Sequence, residues 1–381
     1  MPFPIEEYER RLVALRERMD DLGVVALLST TPENIIYLTG FESPGHYWWQ
    51  GMIVPLYGEP TTLSRLLEVS GVDALSWIEP DHNIAYRDDQ DPMEVLAGLM
   101  TSMGLDQGRV GFERDCWFFT AAQQDRLFKL MPNVEWVDCS WVVEKGRVVK
   151  SELEIEKITA AARTTEAGMR AGIDAVSCDA SEDDVAAELF SAMIRAGSEW
   201  PSIVPFVSSG ERGAIGHATW RHRQLKNGDS VFLEAAGCRS RYHAPMMRTV
   251  LVGEPDEAML QAFDAVQAAF DAALAAIKPG VPAGDVDQVA RQVIAESGFG
   301  GTQASRLAYS VGVAVPPDWG EGHILSMKPG ESRVLQENMT FHLLPWVQLP
   351  GFGAMGCTET IRVTADGAEC ITNFPRELFM R

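Results

Sequence analysis

The sequence predicts an α/β domain followed by an α+β domain, and three observations carry that prediction. The chain has 381 residues, enough for two domains of ordinary size. Up to about residue 140, apolar residues at helical spacing alternate with short apolar runs of strand length. After that point helices come first and strands gather later, the order of an α+β unit.

In chain order, Leu12, Leu15, Met19 and Leu22 recur at helical spacing, and VVALLS from Val24 reads as a buried strand. MIVPLY from Met52 and RVGFE from Arg109 are further strands, with PMEVLAGLMTSMGL and FFTAAQQDRLFKLM as amphipathic helices. VEWVDCSWVVEKGRVVKS from Val134 leads into a new helix, KSELEIEKITAAARTTEAGMRAG. The domain boundary is therefore expected within 145–155, giving domains 1–148 and 149–381. Ser181 is the expected N-cap of the next helix, with Asp184 at the capping-box position. A strand-rich stretch is expected from about Pro201 to Gly253. Met259, Phe263, Val266, Phe270, Leu274 and Ile277 mark a long helix that stops at Lys278-Pro279-Gly280. Val286, Val289 and Val293 mark another, and MTFHLLPWVQL and TETIRVT return to strands.

Composition excludes several classes of function. Hydrophobic residues make up 46% and charged residues 23%, the balance of a globular chain with a full core. A net charge of −22 repels phosphate backbones and anionic lipid surfaces, which argues against a nucleic-acid or membrane role. No apolar run approaches the roughly 18 residues of a membrane span. The N-terminus, MPFPIEEYERRL, is acidic and lacks the apolar segment of a secretory leader, so a cytoplasmic protein is expected. Six scattered cysteines with no CxxC spacing read as reduced thiols.

The simplest catalytic signatures are absent: there is no P-loop, HExxH, GxSxG or GxGxxG. Three segments instead concentrate polar residues among apolar ones: SSGERGAIGHATW from Ser208, VFLEAAGCRSRYHAPMMRTVLVGEP from Val231, and YSVGVAVPPDWGEGH from Tyr309. In the second, Glu234 follows the apolar run Val231-Phe232-Leu233. A carboxylate there is costly to bury unless it is paired or used, and burial raises its pKa. The structural alternative is a salt bridge to Arg241 or Arg248.

This middle segment resembles the signature of the pita-bread superfamily of prolidases, methionine aminopeptidases and creatinase. Arg248-Thr249 stands at the family's closing Arg-Thr, and SSGERGAIGH resembles the loop that delivers a functional His, here His217. KSELEIEKI resembles the first helix of that fold, and the preceding α/β domain resembles the creatinase-type N-terminal domain. The metal-ligand positions of the family pattern are occupied by Glu234, Pro245, Tyr309, Leu344 and Glu359. Pro and Leu bind no metal, so the expectation is no metal and no cofactor. LEAAGCRSRYHAPMMRT, VPPDWGE and MTFHLLP, in that order, are similar to the ectoine hydrolase branch, whose members open a C–N bond without metal. Departures from that branch stand at Pro44, Ala244, Met246-Met247 and Gly322-His323, which leaves ectoine, hydroxyectoine or another cyclic amidine as substrate.

The resemblance implies Glu234, His217 and Glu359 as catalytic residues. It implies Tyr47, Tyr242, His243, Tyr309, Asp318, Trp319, Glu321, His342 and Arg248 around the substrate. A planar amidinium pairs with a carboxylate that either attacks its carbon or activates a water, and a His supplies the proton to the departing nitrogen. The expected assembly is a homodimer, with a deacetylase as partner because the product would be acetylated. The alternatives are a creatinase-like amidinohydrolase, a non-catalytic binding module and, last, a metal-dependent Xaa-Pro dipeptidase.

Overall fold

In the computed structural model, residues 1–300 and 305–381 are described, and the chain divides into two units, Met1–Arg147 and Val148–Arg381. The first unit is built on strands β1 (Ala26–Ser29), β2 (Gly51–Pro55), β3 (Thr61–Arg65), β4 (Asn83–Tyr86), β5 (Gly108–Phe112) and β6 (Val134–Asp138). They form one mixed sheet in the order β4-β3-β2-β1-β5-β6. β1 is buried along its whole length because both faces of the sheet are covered, which is why it reads as a continuous apolar run. On one face Leu27, Met52 and Val54 meet Leu12, Leu15 and Met19 of the helix Ile5–Asp21. On the other, Leu28, Ile53 and Val110 meet Leu96, Met100 and Leu127. Leu22 departs from the expected stripe: it caps the helix and is exposed. β3 and β4 carry too few apolar residues to announce themselves.

The carboxyl of Glu113, directly after β5, is buried and fully engaged. It accepts hydrogen bonds from Ser29 Oγ, Thr30 N and Thr31 N, each at 2.7 Å, and from Asn34 Nδ2 at 2.8 Å. It is a structural carboxyl that ties β5 to the start of the helix Pro32–Thr39.

The second unit opens with the helix Glu152–Ala175, whose capping box is Ser151 with Glu154. The helix Glu182–Arg195 follows, closed by the expected Ser181 and Asp184 box. Its strands are β7 (Phe206–Ser209), β8 (Ser230–Arg239), β9 (Tyr242–Leu251), β10 (Ala308–Ser310), β11 (Ser326–Met327), β12 (Thr340–Leu343), β13 (Trp346–Leu349), β14 (Gly353–Val363), β15 (Ala368–Cys370) and β16 (Phe379–Met380). The sheet runs β11-β10-β12-β14-β9-β8-β7, with β13 and β15 on β14 and β16 beside β9. The expected strand-rich stretch is interrupted by the irregular segment between β7 and β8, and MTFHLLPWVQL is two strands separated at Leu344-Pro345.

Two helix pairs cover one face. Met169, Ile173, Leu189 and Met193 pack on Val207, Val231 and Leu233. Val266, Phe270 and Val286, from the helices Glu257–Ala276 and Ala283–Ile294, pack on Phe341, Cys357 and Ile361. Side chains alternate along a strand, so the neighbours of these residues point to the opposite face. The two halves of the sheet meet at a narrow seam, where β9 and β14 pair through Arg248 with Cys357 and Met247 with Thr358.

The close approach of β8 to the first helix depends on Gly237. An added Cβ would lie 2.0 Å from Thr164 Oγ1 and 2.7 Å from the Ala161 carbonyl oxygen, a backbone atom that cannot move aside. Gly237→Ala is expected to destabilise the second unit by about 1–3 kcal/mol. An unchanged urea midpoint would show that the helix shifts freely.

Candidate active site

The alternation of the second sheet decides which candidate residues converge. Leu233 faces the helices, so Glu234 faces the other way, and its cross-strand partner Phe206 on β7 shares that face. Phe341 and Leu343 likewise face the helices, which puts His342 on the site face beside its partner Tyr309 on β10. Phe206, Ala236, Tyr309, Trp319 and Leu344 form a small apolar cluster there.

Within this cluster Glu234 is 8% exposed, and among the described residues its carboxyl makes no hydrogen bond to protein. The nearest ring nitrogen, His342 Nδ1, is 3.8 Å from Glu234 Oε1. Burial, and secondarily the negative charge of Asp318, push Glu234 up to about 8. Asp318 is held by the Gly320 N–H at 2.9 Å, in the loop after the cis Pro316-Pro317 bond. Trp319, in the same loop, donates its Nε1–H to Tyr309 Oη at 2.7 Å. Tyr309 Oη also lies 2.9 Å from His342 Nδ1, and His342 Nε2 abuts Thr358 Oγ1. Burial, with the charge of Glu234, holds the Tyr309 phenol well above its usual range. Burial, with the positive charges of Arg306 and Arg248, holds His342 down at about 3, so its ring is neutral.

His217 is exposed and adopts a positive φ of 61°. Its ring stacks on Phe206 with centroids 5.2 Å apart, and Phe206 in turn meets Trp319 at 5.0 Å. The loop that carries it is anchored by Glu182, whose fully buried carboxylate accepts Ser209 N and Oγ at 2.8 Å and Arg221 N at 2.9 Å. Arg212 ion-pairs with the same carboxylate and donates to the Thr219 carbonyl oxygen at 2.6 Å.

Other candidates are not part of this cluster. Glu359 and Arg248 alternate to the helix face, where they form a fully buried ion pair with each other. Arg248 also donates to the Thr358 carbonyl at 2.7 Å and the Pro375 carbonyl at 2.9 Å, and Thr372 Oγ1 donates to Glu359. With every donor engaged, Arg248 has none for a substrate carboxylate, and it pairs with Glu359 rather than with Glu234. Tyr242 also faces the helices and donates to Glu154 Oε1 at 2.9 Å. Glu321 is buried against Lys150 Nζ at 2.8 Å and shapes the loop rather than the site. His243 is on the site face by alternation, but its Nε2 accepts the Ser202 N–H at 3.2 Å, and burial lowers its pKa well below the usual value. Tyr47 belongs to the first unit and is exposed there. The sequence reading missed Thr358, Phe206 and Glu182. Thr358 could have been found, since it alternates with Glu359 beside the core residues Cys357 and Ile361.

The profile of metallopeptidase family M24 matches residues 156–365, and that of the creatinase/prolidase N-terminal domain matches residues 11–149. The chain belongs to family M24. An ectoine hydrolase of Halomonas elongata is 31% identical, covering 100% of this chain and 99% of the relative. An uncharacterised hydrolase/peptidase of Sinorhizobium fredii is 28% identical, covering 100% and 98%. Among solved structures, a prolidase of Thermococcus sibiricus superposes with a TM-score of 0.87 at 23% identity, covering 98% of this chain and 99% of that one. The prolidase of Pyrococcus horikoshii OT3 gives 0.84 at 24% identity, with 97% and 99% covered. The expected architecture, a creatinase-type domain followed by a pita-bread domain, is thereby established.

The family description implies a metal, and the residues present do not fit one. Pro245 and Leu344 offer no donor, and Glu359 is held on the opposite face by Arg248. Among the described residues, no group of three or more His, Cys, Asp or Glu side chains is arranged to hold a metal ion.

Glu234 also makes the fold's stability depend on pH. Its folded pKa is raised, so the folded state keeps a proton that the unfolded chain has lost. Stability is full below the unfolded value near 4.5 and falls as pH rises through about 8. Glu234→Gln, which cannot ionise, is therefore expected to gain stability relative to the parent as pH goes from 5 to 8, by about 1–3 kcal/mol. Parallel urea melts at both pH values measure this, and a pH-independent difference would contradict the raised pKa.

Proposed function

We propose that this M24 protein is a metal-independent hydrolase that opens a C–N bond of a cyclic amidine, with ectoine or hydroxyectoine as substrate. The observation that carries the reading is Glu234: a buried carboxyl with no protein hydrogen bond among the described residues, set among aromatic side chains on the site face. An amidinium supplies what that carboxyl lacks, namely N–H donors and a positive charge. A cation alongside favours the carboxylate and so lowers the raised pKa of Glu234. The full-length similarity to an ectoine hydrolase supports the same substrate class.

In this reading Glu234 either attacks the amidine carbon, forming a covalent intermediate that a water then hydrolyses to free the carboxyl, or takes a proton from a water that attacks instead. With water, the hydroxyl adds to the carbon, the ring C–N bond breaks with its electron pair going to nitrogen, and a proton reaches that nitrogen. His217, stacked on Phe206 directly across the ladder from Glu234, is the proposed proton donor. Asp318 and Trp319 bound the site, and Tyr309 and His342 supply its polar wall. Glu359 has no direct part, since it is tied to Arg248. The proposal extends to a cytoplasmic homodimer whose acetylated product passes to a deacetylase.

Chelator-treated protein incubated with ectoine is expected to yield a product heavier by one water, read by mass spectrometry. Glu234→Gln is expected to lower kcat by at least about 1,000-fold and His217→Ala by roughly 100-fold, with the thermal melt of His217→Ala nearly unchanged. Product formed only after divalent metal is restored would overturn metal independence. Absence of product from any cyclic amidine, with or without metal, would overturn the substrate class.

A further inference from the structure

On the site face, the hydrogens of one chain of side chains can be assigned from the bonds that surround it. Thr358 is fully buried, and its Oγ1 accepts the Met247 N–H at 2.9 Å. The other polar atom bonded to that hydroxyl, among the described residues, is His342 Nε2. His342 is neutral, so its ring carries a single hydrogen, on one nitrogen or the other. The two tautomers differ in which hydroxyl hydrogen lacks a protein acceptor among the described residues. With Nε2–H it is that of the fully buried Thr358, and with Nδ1–H it is that of Tyr309, which is 6% exposed and lines the site, where a ligand can accept it. Thr358 therefore donates to Nε2, and the ring hydrogen sits on Nδ1.

The consequence reaches Tyr309. His342 Nδ1–H donates to Tyr309 Oη at 2.9 Å, and the Trp319 indole N–H, which can only donate, reaches the same oxygen at 2.7 Å. Both acceptor positions of the phenol are filled. Its own hydrogen then points away from both donors, with no protein acceptor bonded to it among the described residues. Tyr309 sits on the same face as Glu234, and both approach His342 Nδ1, Tyr309 Oη at 2.9 Å and Glu234 Oε1 at 3.8 Å.

Taking Glu234 as the reacting carboxyl, we propose that Thr358 is a positioning residue that fixes His342 as its Nδ1–H tautomer, so that Tyr309 offers its O–H to the substrate. An amidinium is rich in donors and offers no lone pair in its plane. The acceptor is the oxygen that develops on the amidine carbon as the C–N bond opens, where a preformed donor acts on the transition state more than on the bound substrate.

The tautomer is read directly, without substrate. Protein carrying ring-15N histidine shows the nitrogen shifts of each of its seven imidazoles, and His342→Gln identifies the His342 signals by their loss. The wild type is expected to show a protonated Nδ1 at His342, Thr358→Val a mixture or the Nε2–H form, and Thr358→Ser the wild-type pattern. In turnover of ectoine, Thr358→Val is expected to lower kcat roughly tenfold with KM nearly unchanged, and Thr358→Ser to restore it. An Nε2–H ring in the wild type would overturn the proposal, as would a Thr358→Val variant with unaltered tautomer and kcat. A change confined to KM would overturn the assignment of Tyr309 to the developing oxygen. A wild type that turns over no cyclic amidine would sink the functional reading while leaving the tautomer result standing on its own.

Discussion

The second unit is organised by the two-residue period of its curved sheet. Helices cover one face, so each strand must send alternate side chains into that core, and what remains is delivered to the other face in register. Leu233, Phe341, Leu343, Cys357 and Ile361 go one way, and Glu234, His342 and Thr358 go the other. A slip of one residue in β8 or β12 would put a carboxyl or an imidazole into the apolar core and a core residue into the site. The hydrophobic core thus sets the register, and the register assembles the polar side chains.

Glu113 and Glu234 show how similar local sequence can lead to different surroundings. Both follow short apolar runs, and both are almost wholly removed from solvent. Glu113 is met by four donors from the turn opposite and serves as a structural peg. Glu234 is met by aromatic rings and a like charge, Asp318. Burial and a nearby like charge, Glu144 for Glu113 and Asp318 for Glu234, are common to the two; the provision of donors separates a carboxyl that holds the fold from one left without protein hydrogen bonds among the described residues.

The domain order, the long helices and the strongly apolar strands were legible because periodicity reports burial. The capping boxes of Ser151 and Ser181 were legible because they are local. β3 and β4 were not, since their pairing rests on backbone ladders with little apolar signal. Within the site, Glu234, Tyr309, Trp319 and His342 were recoverable from the sequence pattern, but the pattern could not say which charged residues neutralise each other. Arg248 and Glu359 are 111 residues apart in sequence, and only the pairing of β9 with β14 shows that they neutralise one another. The partnership of Lys150 with Glu321 was hidden for the same reason.

The narrow seam between β9 and β14 bears on how such a protein can change. On its helix side lies the Arg248–Glu359 pair, and on its site side Thr358 touches both the Met247 amide and His342. Neighbouring positions there thus hold the sheet together on one side and bound the Glu234 face on the other, and a substitution at one is felt on both. The loops that carry His217 and Asp318-Trp319 are fastened from outside the Glu234 cluster by Glu182 and by the Lys150–Glu321 pair. A change in those loops can alter the surroundings of Glu234 without touching the pairing of β9 with β14, whereas a change at the seam disturbs both.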